Sequence, residues 1–301
     1  VAFCPHPERP PTREELLGEI KAADALLCLL TDTIDAELLE AAPRLTVIAN
    51  MAVGYNNIDV AAATARRIPV TNTPGVLTET TADLTWALLM GVARRIVEGD
   101  RYVRAGSFKV WKPTLLLGSD VHGKTLGVIG MGRIGVAVAR RARGFGMTIL
   151  YHNRRRVEAS LESEISARFV SLERLLRSSD FVTIHAPLTA ETRYLIGAKE
   201  LALMKPTAYL VNTARGPLVD EAALVAALRG GGLAGAALDV YEKEPALATG
   251  LAELENVVLT PHIGSASWET RGRMALMAAE NIVAALGGKR PPNLVNPEVY
   301  P

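Results

Sequence analysis

The stretch Leu126–Gly135, L-G-V-I-G-M-G-R-I-G, constrains the fold of this chain more than any other. An apolar run, Thr125–Ile129, leads into Gly130, Gly132 and Gly135, and small apolar and basic residues, Val136–Phe145, follow with helical character. This is G-x-G-x-x-G after a strand and at the opening of a helix. That setting separates a dinucleotide site from a chance cluster in a chain of 25 glycines. The first glycine permits a tight turn, the second lets the backbone approach a pyrophosphate, and the third lets the helix pack on the strand. Phosphates then meet unpaired N–H groups and the positive end of the helix dipole. Met131, Arg133 and Ile134 complete the turn and are assigned with the glycines to the cofactor.

Around that stretch, strands alternate with helices, which predicts an α/β fold of doubly wound parallel sheets. Val1–Cys4 is a short apolar run that stops at Pro5. Thr12 caps a helix to about Ala22, with Glu14 and Glu15 in its first turn. Ala25–Leu30, Leu45–Ala49 and Ile68–Thr71 read as buried strands, with helices at Asp35–Ala42 and Val60–Arg67 and a loop at Met51–Asn57. Glu79 to Arg104 has helical spacing throughout and reads as one long helix crossing between domains. Ser107–Asp120 is an irregular arm carrying Trp111. The strands of the second series are Thr125–Ile129, Thr148–Tyr151, Phe181–His185, Ala208–Asn212, Gly235–Val240 and Val257–Thr260. Asp220 caps a helix to Arg229, and a last helix spans about Ser267–Leu286. The tail P-P-N-L-V-N-P is extended and returns to the first domain. The expected division is residues 1–94 with 280–301 against 95–279, the arm lying near 105–120.

Composition narrows the class. With 301 residues, 49% hydrophobic and 22% charged, the chain has ample core for two modest domains. A net charge of +1 offers no field for nucleic acid or an anionic membrane. No apolar run reaches the length of a membrane span, no signal peptide is present, and a cytoplasmic setting is expected. The two cysteines, Cys4 and Cys28, make no metal-spaced pair, so no metal is expected; Cys28, in L-L-C-L-L, reads as core.

The end of the second strand of a nucleotide fold selects the dinucleotide. A carboxylate there accepts hydrogen bonds from the ribose and repels a 2′-phosphate. Here the expected position, 18 residues after Gly135, is Asn153, followed by Arg154, Arg155 and Arg156. Asparagine does not repel a phosphate, and guanidinium groups pair with it, which points to NADPH. The competing reading is that the arginines are a solvated loop.

Three residues then fall at later strand ends, where ligands bind in such sheets. Arg215 lies in N-T-A-R-G-P-L-V-D, Glu244 in L-D-V-Y-E-K-E-P, and His262 in L-T-P-H-I-G-S. An arginine, a carboxylate and a histidine converging on one crevice point to carbonyl reduction. Arg215 would clamp a 2-oxo acid, His262 would protonate the developing alkoxide, and Glu244 would favour the charged ring. Glu242 lies two residues from Glu244 and competes for its role.

At this point the chain resembles the D-isomer-specific 2-hydroxyacid dehydrogenase family, in its glyoxylate/hydroxypyruvate reductase branch. The likeness rests on A-V-G-Y-N-N-I-D at 52–59, P-G-V-L-T-E-T-T-A-D at 74–83, and the glycine turn. It extends through N-T-A-R-G-P-L-V-D at 212–220, A-L-D-V-Y-E-K-E-P at 237–245 and P-H-I-G-S at 261–265. The resemblance implies a Rossmann-like cofactor domain and a flavodoxin-like substrate domain. It implies Arg215, Glu244 and His262 as the catalytic set, with Val53 and Gly54 N–H groups joining Arg215 on the substrate carboxylate. It places Thr81, Pro187, Thr213, Ala214, Asp239 and Gly264 at the cofactor, and Asn153–Arg155 at a 2′-phosphate. It also implies a homodimer in which W-K-P-T-L-L-L-G at 111–118 wraps the second subunit and Trp111 reaches the partner's active site. The family's leading strand and helix are not found before Val1, so residues are expected to be missing there. Asn56 stands where relatives often carry Asp, with little consequence expected. The alternatives are a phosphoglycerate, lactate or formate dehydrogenase, and a nucleotide-sensing corepressor on the same fold.

Overall fold

The structure is a computed structural model that describes residues 9–300, so the run expected at Val1–Cys4 lies outside the described residues. The chain divides into a smaller unit, up to Leu77 and again from Ala266, and a larger unit, Thr78–Ser265.

In the smaller unit, α1 (Arg13–Glu19) starts at Thr12 with a reciprocal capping box to Glu15. Then come β1 (Leu26–Cys28), α2 (Ala36–Glu40), β2 (Ile48–Asn50), α3 (Val60–Ala65) and β3 (Val70–Thr71). Asp35 and Asp59 cap α2 and α3 through their carboxylates. The three strands are parallel in the order β1-β2-β3, and β2 is wholly buried. Cys28 is fully buried in this core.

In the larger unit the single helix expected over Glu79–Arg104 is two: α4 (Thr78–Ala93) and α5 (Ile96–Arg104). The break has a local cause. Arg95 takes a left-handed conformation, φ 54°. The returning Gly118–Ser119 segment caps α4 there, Ser119 N–H donating to Ala93 O at 2.9 Å. Both helices, and the helix N-terminal to residue 95 in particular, belong to the larger unit, so the division falls before α4 rather than at 94/95. At the other end it falls before the last helix rather than at 279/280. Helix α4 is the central pillar of its unit. Leu88, Leu89 and Val92 are buried, each contributing about 1.5–3 kcal/mol on burial. Trp86 stacks on Phe145 at 4.6 Å and donates its indole N–H to Val138 O.

The sheet of this unit is built from β4 (Thr125–Ile129), β5 (Thr148–His152), β6 (Ala167–Phe169), β7 (Phe181–Ile184), β8 (Tyr209–Asn212), β9 (Gly235–Leu238) and β10 (Val257–Leu259). All pairs are parallel, in the order β10-β9-β8-β7-β4-β5-β6. Helices α6 (Arg133–Gly144), α7 (Ala159–Ile165), α8 (Leu172–Ser178), α9 (Ala198–Leu201) and α10 (Glu221–Arg229) connect the strands. The strand order reverses between β4 and β7, which makes this a Rossmann-like sheet with its ligand crevice at that point. Six strands were expected here; β6 is the addition, a short edge strand with two exposed residues.

The chain then returns to the smaller unit as α11 (Trp268–Leu286), capped by Ser267. The tail does reach the sheet. Leu294 bridges Thr71 antiparallel, Val295 N–H donates to Val70 O, and the buried Asn296 accepts Val70 N–H at 2.7 Å. No helix among the described residues is long and apolar enough to cross a membrane.

Candidate active site

The glycine turn sits at the crevice, and its glycines do different work. Gly130 has φ +97°, and a Cβ there would fall 2.5 Å from Ala186 N and 2.6 Å from His185 C. It must therefore be glycine for the turn after β4 to pass the end of β7. A Cβ on Gly135 would lie 2.2 Å from Gly130 O. A Cβ on Gly132 would meet nothing within 4 Å, and α6 begins beside it with no side-chain cap. Protein packing thus demands the first and third glycines and leaves open space at the second, beside uncapped N–H groups. That arrangement fits the pyrophosphate of a dinucleotide.

The ribose end is more specific than its sequence. Asn153 Oδ1 accepts Met131 N–H at 2.6 Å, so this side chain holds the glycine turn in place. The arginines behind it divide. Arg156 is committed to Glu162, at 2.8 and 2.6 Å. Arg154 and Arg155 are exposed and make no hydrogen bond or ion pair among the described residues. Arg133, at the start of α6, is likewise exposed, and Ile134 packs on the core. Pro187 lies on the exposed loop after β7, its carbonyl accepting the Thr192 hydroxyl at 2.8 Å.

Three loops at the carboxyl ends of β8, β9 and β10 bring the other candidates together. After β8, Asn212 folds its side chain back to accept Ala214 N–H at 3.0 Å and donate to Arg215 O at 2.9 Å. A Cβ on Gly216 would lie 1.9 Å from Tyr241 C and O, so the absence of a side chain lets this loop touch the one after β9. Arg215 is part-buried, its guanidinium donating to Ala214 O at 2.7 Å. Burial pulls the Arg215 guanidinium below its ordinary value, and the nearby Glu244 charge opposes that.

It is Glu244, not Glu242, that meets the histidine. Glu244 Oε2 lies 2.8 Å from His262 Nδ1, and Oε1 accepts Tyr241 N–H at 3.0 Å. Glu242 points elsewhere and accepts the Tyr194 hydroxyl at 2.6 Å. Burial pushes the Glu244 carboxyl up, but the hydrogen bond and charge of His262 outweigh it and hold the group below the usual carboxylate range. His262 sits at φ 53°, a left-handed conformation, fixed by its N–H to Asp239 O at 2.9 Å. A non-glycine residue held there is the kind of local strain that collects at reactive sites.

Asp239 is fully buried, and its carboxylate serves the His262 loop. It accepts the Thr260 hydroxyl at 2.6 Å and the N–H groups of Ile263 and Gly264 at 2.8 and 2.7 Å. Thr81 packs against Gly264, and Thr85 links it to Thr213 through a hydroxyl pair at 2.8 Å. Val53 and Gly54 lie in the smaller unit, on the loop after β2. Trp111 is 75% exposed on the arm.

Sequence reasoning missed the residues that hold these loops. Glu221, the buried first residue of α10, accepts Glu242 N–H at 2.6 Å and braces the Glu244 loop. Gly216 carried a usable signal, a glycine next to a candidate arginine. Glu221 carried none, because a carboxylate in a first turn reads as dipole complement.

Residues 86–264 match the D-isomer specific 2-hydroxyacid dehydrogenase, NAD binding domain family. The chain belongs to the D-isomer specific 2-hydroxyacid dehydrogenases. Among the members of this family it resembles, a glyoxylate reductase of Korarchaeum cryptofilum is 59% identical over 294 residues, covering 97% of this chain and 88% of that protein. The structure of the TT0316 protein of Thermus thermophilus superimposes with a TM-score of 0.89 at 51% identity, over 98% of this chain and 91% of that one. An NADPH-dependent glyoxylate/hydroxypyruvate reductase from Sinorhizobium meliloti, solved with NADP and malonate, gives a TM-score of 0.84 at 35% identity. That match covers 92% of this chain and 85% of the other. As a member of this family the chain is a nicotinamide-dependent oxidoreductase of the two-domain type.

Proposed function

We propose that this dehydrogenase reduces glyoxylate to glycolate with NADPH, accepts hydroxypyruvate as a second substrate, and works as a cytoplasmic homodimer. The observation that carries the reading is the 2.8 Å contact of Glu244 with His262 beside the half-buried Arg215. The glyoxylate reductases among its relatives support the substrate, and the exposed Arg154 and Arg155, with no hydrogen bond or ion pair among the described residues, support the cofactor.

When bound, NADPH supplies the hydride to the carbonyl carbon. The glycine turn with Met131, Arg133 and Ile134 holds its pyrophosphate, Asn153–Arg155 the 2′-phosphate, and Thr81, Pro187, Thr213, Ala214, Asp239 and Gly264 the rest. Arg215 clamps the substrate carboxylate and polarises the carbonyl. The N–H groups of Val53 and Gly54 are further donors to that carboxylate. His262 gives its Nε2 proton to the alkoxide oxygen while Nδ1 stays bonded to Glu244, whose carboxylate stabilises the charged ring. Trp111 of the second subunit bounds the space for the larger hydroxypyruvate.

The test is the rate of NADPH consumption with glyoxylate, compared with NADH. Faster turnover with NADPH is expected. A preference for NADH overturns the cofactor assignment, and no turnover with any small 2-oxo acid overturns the reaction.

A further inference from the structure

The loop after β2 carries an unusual set of backbone bonds. Ala52 O accepts Thr73 N–H at 2.8 Å. Val53 O accepts the Asn72 side-chain amide at 2.8 Å. Gly54 O accepts the Asn50 amide, also at 2.8 Å. Every one of these contacts lies within the smaller unit.

A trans peptide places its N–H opposite its C=O. The peptide joining Ala52 to Val53 is gripped by its carbonyl from the Asn72–Thr73 side, so the Val53 N–H is turned to the other side. The peptide joining Val53 to Gly54 is gripped from the same side, so the Gly54 N–H turns the same way. In an extended strand successive N–H groups alternate. Here the two carbonyls are held from one side, which leaves the two consecutive N–H groups facing the other, where both can meet one anion. Neither has an acceptor among the described residues.

We propose that Asn72 and Thr73 are positioning residues that turn the Val53 and Gly54 N–H groups to one side, so that together they donate to one carboxylate. This rests on the assignment of those N–H groups to the substrate carboxylate and adds what aims them. The local sequence explains the grip. Pro74 restricts Thr73 to an extended backbone, which directs its N–H at Ala52. Gly75, at φ +86°, then turns the chain away. Asn72 is itself fixed from behind, its N–H donating to Asn293 O at 3.2 Å. Asn293 is held in turn by the buried Asn281 of α11, at 3.1 Å. An asparagine amide is short enough to reach the neighbouring loop, and as a neutral donor it adds no charge beside an anion.

The test measures binding of oxamate, an unreactive 2-oxo acid analogue, to the full chain saturated with NADPH. Asn72→Ala is expected to weaken oxamate, and to raise KM for glyoxylate, roughly tenfold, with kcat changed less than about threefold and NADPH affinity unchanged. Asn72→Asp is isosteric, removes the donor and adds a negative charge, so its loss is expected to be larger; should alanine fail to fold, the aspartate variant carries the test alone. Unchanged oxamate affinity in these variants, or an equal loss of oxamate and NADPH affinity, overturns the proposal. Amide resonances of Val53 and Gly54 in the parent, followed during the oxamate titration, separate the two layers. If they do not move, the carboxylate assignment itself fails. If they move while the Asn72 variants bind normally, only the positioning role fails.

Discussion

His262 Nδ1 and Glu244 Oε2 are 2.8 Å apart, and the second oxygen of Glu244 is spent on the backbone of its own loop, at Tyr241. The carboxylate therefore cannot swing away without breaking a loop bond. This fixes the ring with Nε2 as its free nitrogen. Glu244→Gln keeps the shape and removes the charge that stabilises the protonated ring. Its kcat for glyoxylate is expected to fall by roughly 10²-fold or more, with KM changed much less. Glu242→Gln is expected to leave kcat within about twofold, since among the described residues that side chain bonds only the Tyr194 hydroxyl. Steady-state kinetics of both variants check this; equal losses would contradict the assignment.

The division among the arginines after β5 makes a sharper statement than their sequence run. Arg154→Ala is expected to weaken NADPH by roughly tenfold to a hundredfold and NADH hardly at all, since the contact proposed for it is to a phosphate that only NADPH carries. Arg156→Ala, which breaks a pair with Glu162, is expected to lower the melting temperature and leave the ratio of the two cofactor affinities unchanged. Fluorescence titrations with each cofactor decide it. A ratio that moves with Arg156 and not Arg154 would reverse the roles.

Gly216 is where the loops bearing Arg215 and Glu244 touch. Gly216→Ala places a methyl group 1.9 Å from Tyr241 C and O. Backbone must move, at a cost of roughly 1–3 kcal/mol or more. Both the melting temperature and kcat/KM are expected to drop, the latter by more than roughly tenfold, because the displaced loops carry two of the side chains proposed to do the chemistry. A variant that melts lower yet keeps parental kcat/KM would show that the contact is only structural.

His185 gives the fold a pH dependence of known sign. Burial holds its ring pKa down at about 3 against an ordinary 6.5, and its buried Nδ1 has no partner among the described residues. Above the unfolded value both states are neutral and the residue has no effect. As pH falls from about 6.5 towards 3, the unfolded chain takes a proton that the folded one refuses, and stability is lost at up to about 1.4 kcal/mol per pH unit. Urea midpoints at about pH 7.5 and about pH 5 should therefore separate more for the parent than for His185→Gln, whose amide can still meet Thr183. Equal separations would remove His185 from the account.

Where one residue's chemistry suffices, this architecture was readable from sequence. The strand Thr125–Ile129 emerged with the bounds expected of it, because it is a continuous apolar run ending in glycine. The helix caps expected at Thr12 and Asp220 both hold. What escaped depends on contacts between distant segments. Ala167–Phe169 has neither alternation nor an apolar run, and only pairing with β5 makes it a strand. The break at Arg95 is imposed by Gly118 and Ser119 folding back on Ala93. The same limit applies in the site. Arg215, Glu244 and His262 stood out because each follows a strand. Sequence did not show that Asn153 spends its carbonyl on Met131, or that Glu221 braces the loop carrying Glu244.

The tail that closes β3 has a consequence for how the chain is made. The partner of the Val70 N–H is Asn296, which leaves the ribosome 226 positions later. At ordinary synthesis rates that is a wait of roughly ten to forty-five seconds. During it the larger unit, one uninterrupted segment, is already complete, while the edge of β3 stands open. The unit begun first is finished last, and a nascent chain of this enzyme can hold its nucleotide fold before its smaller unit is closed.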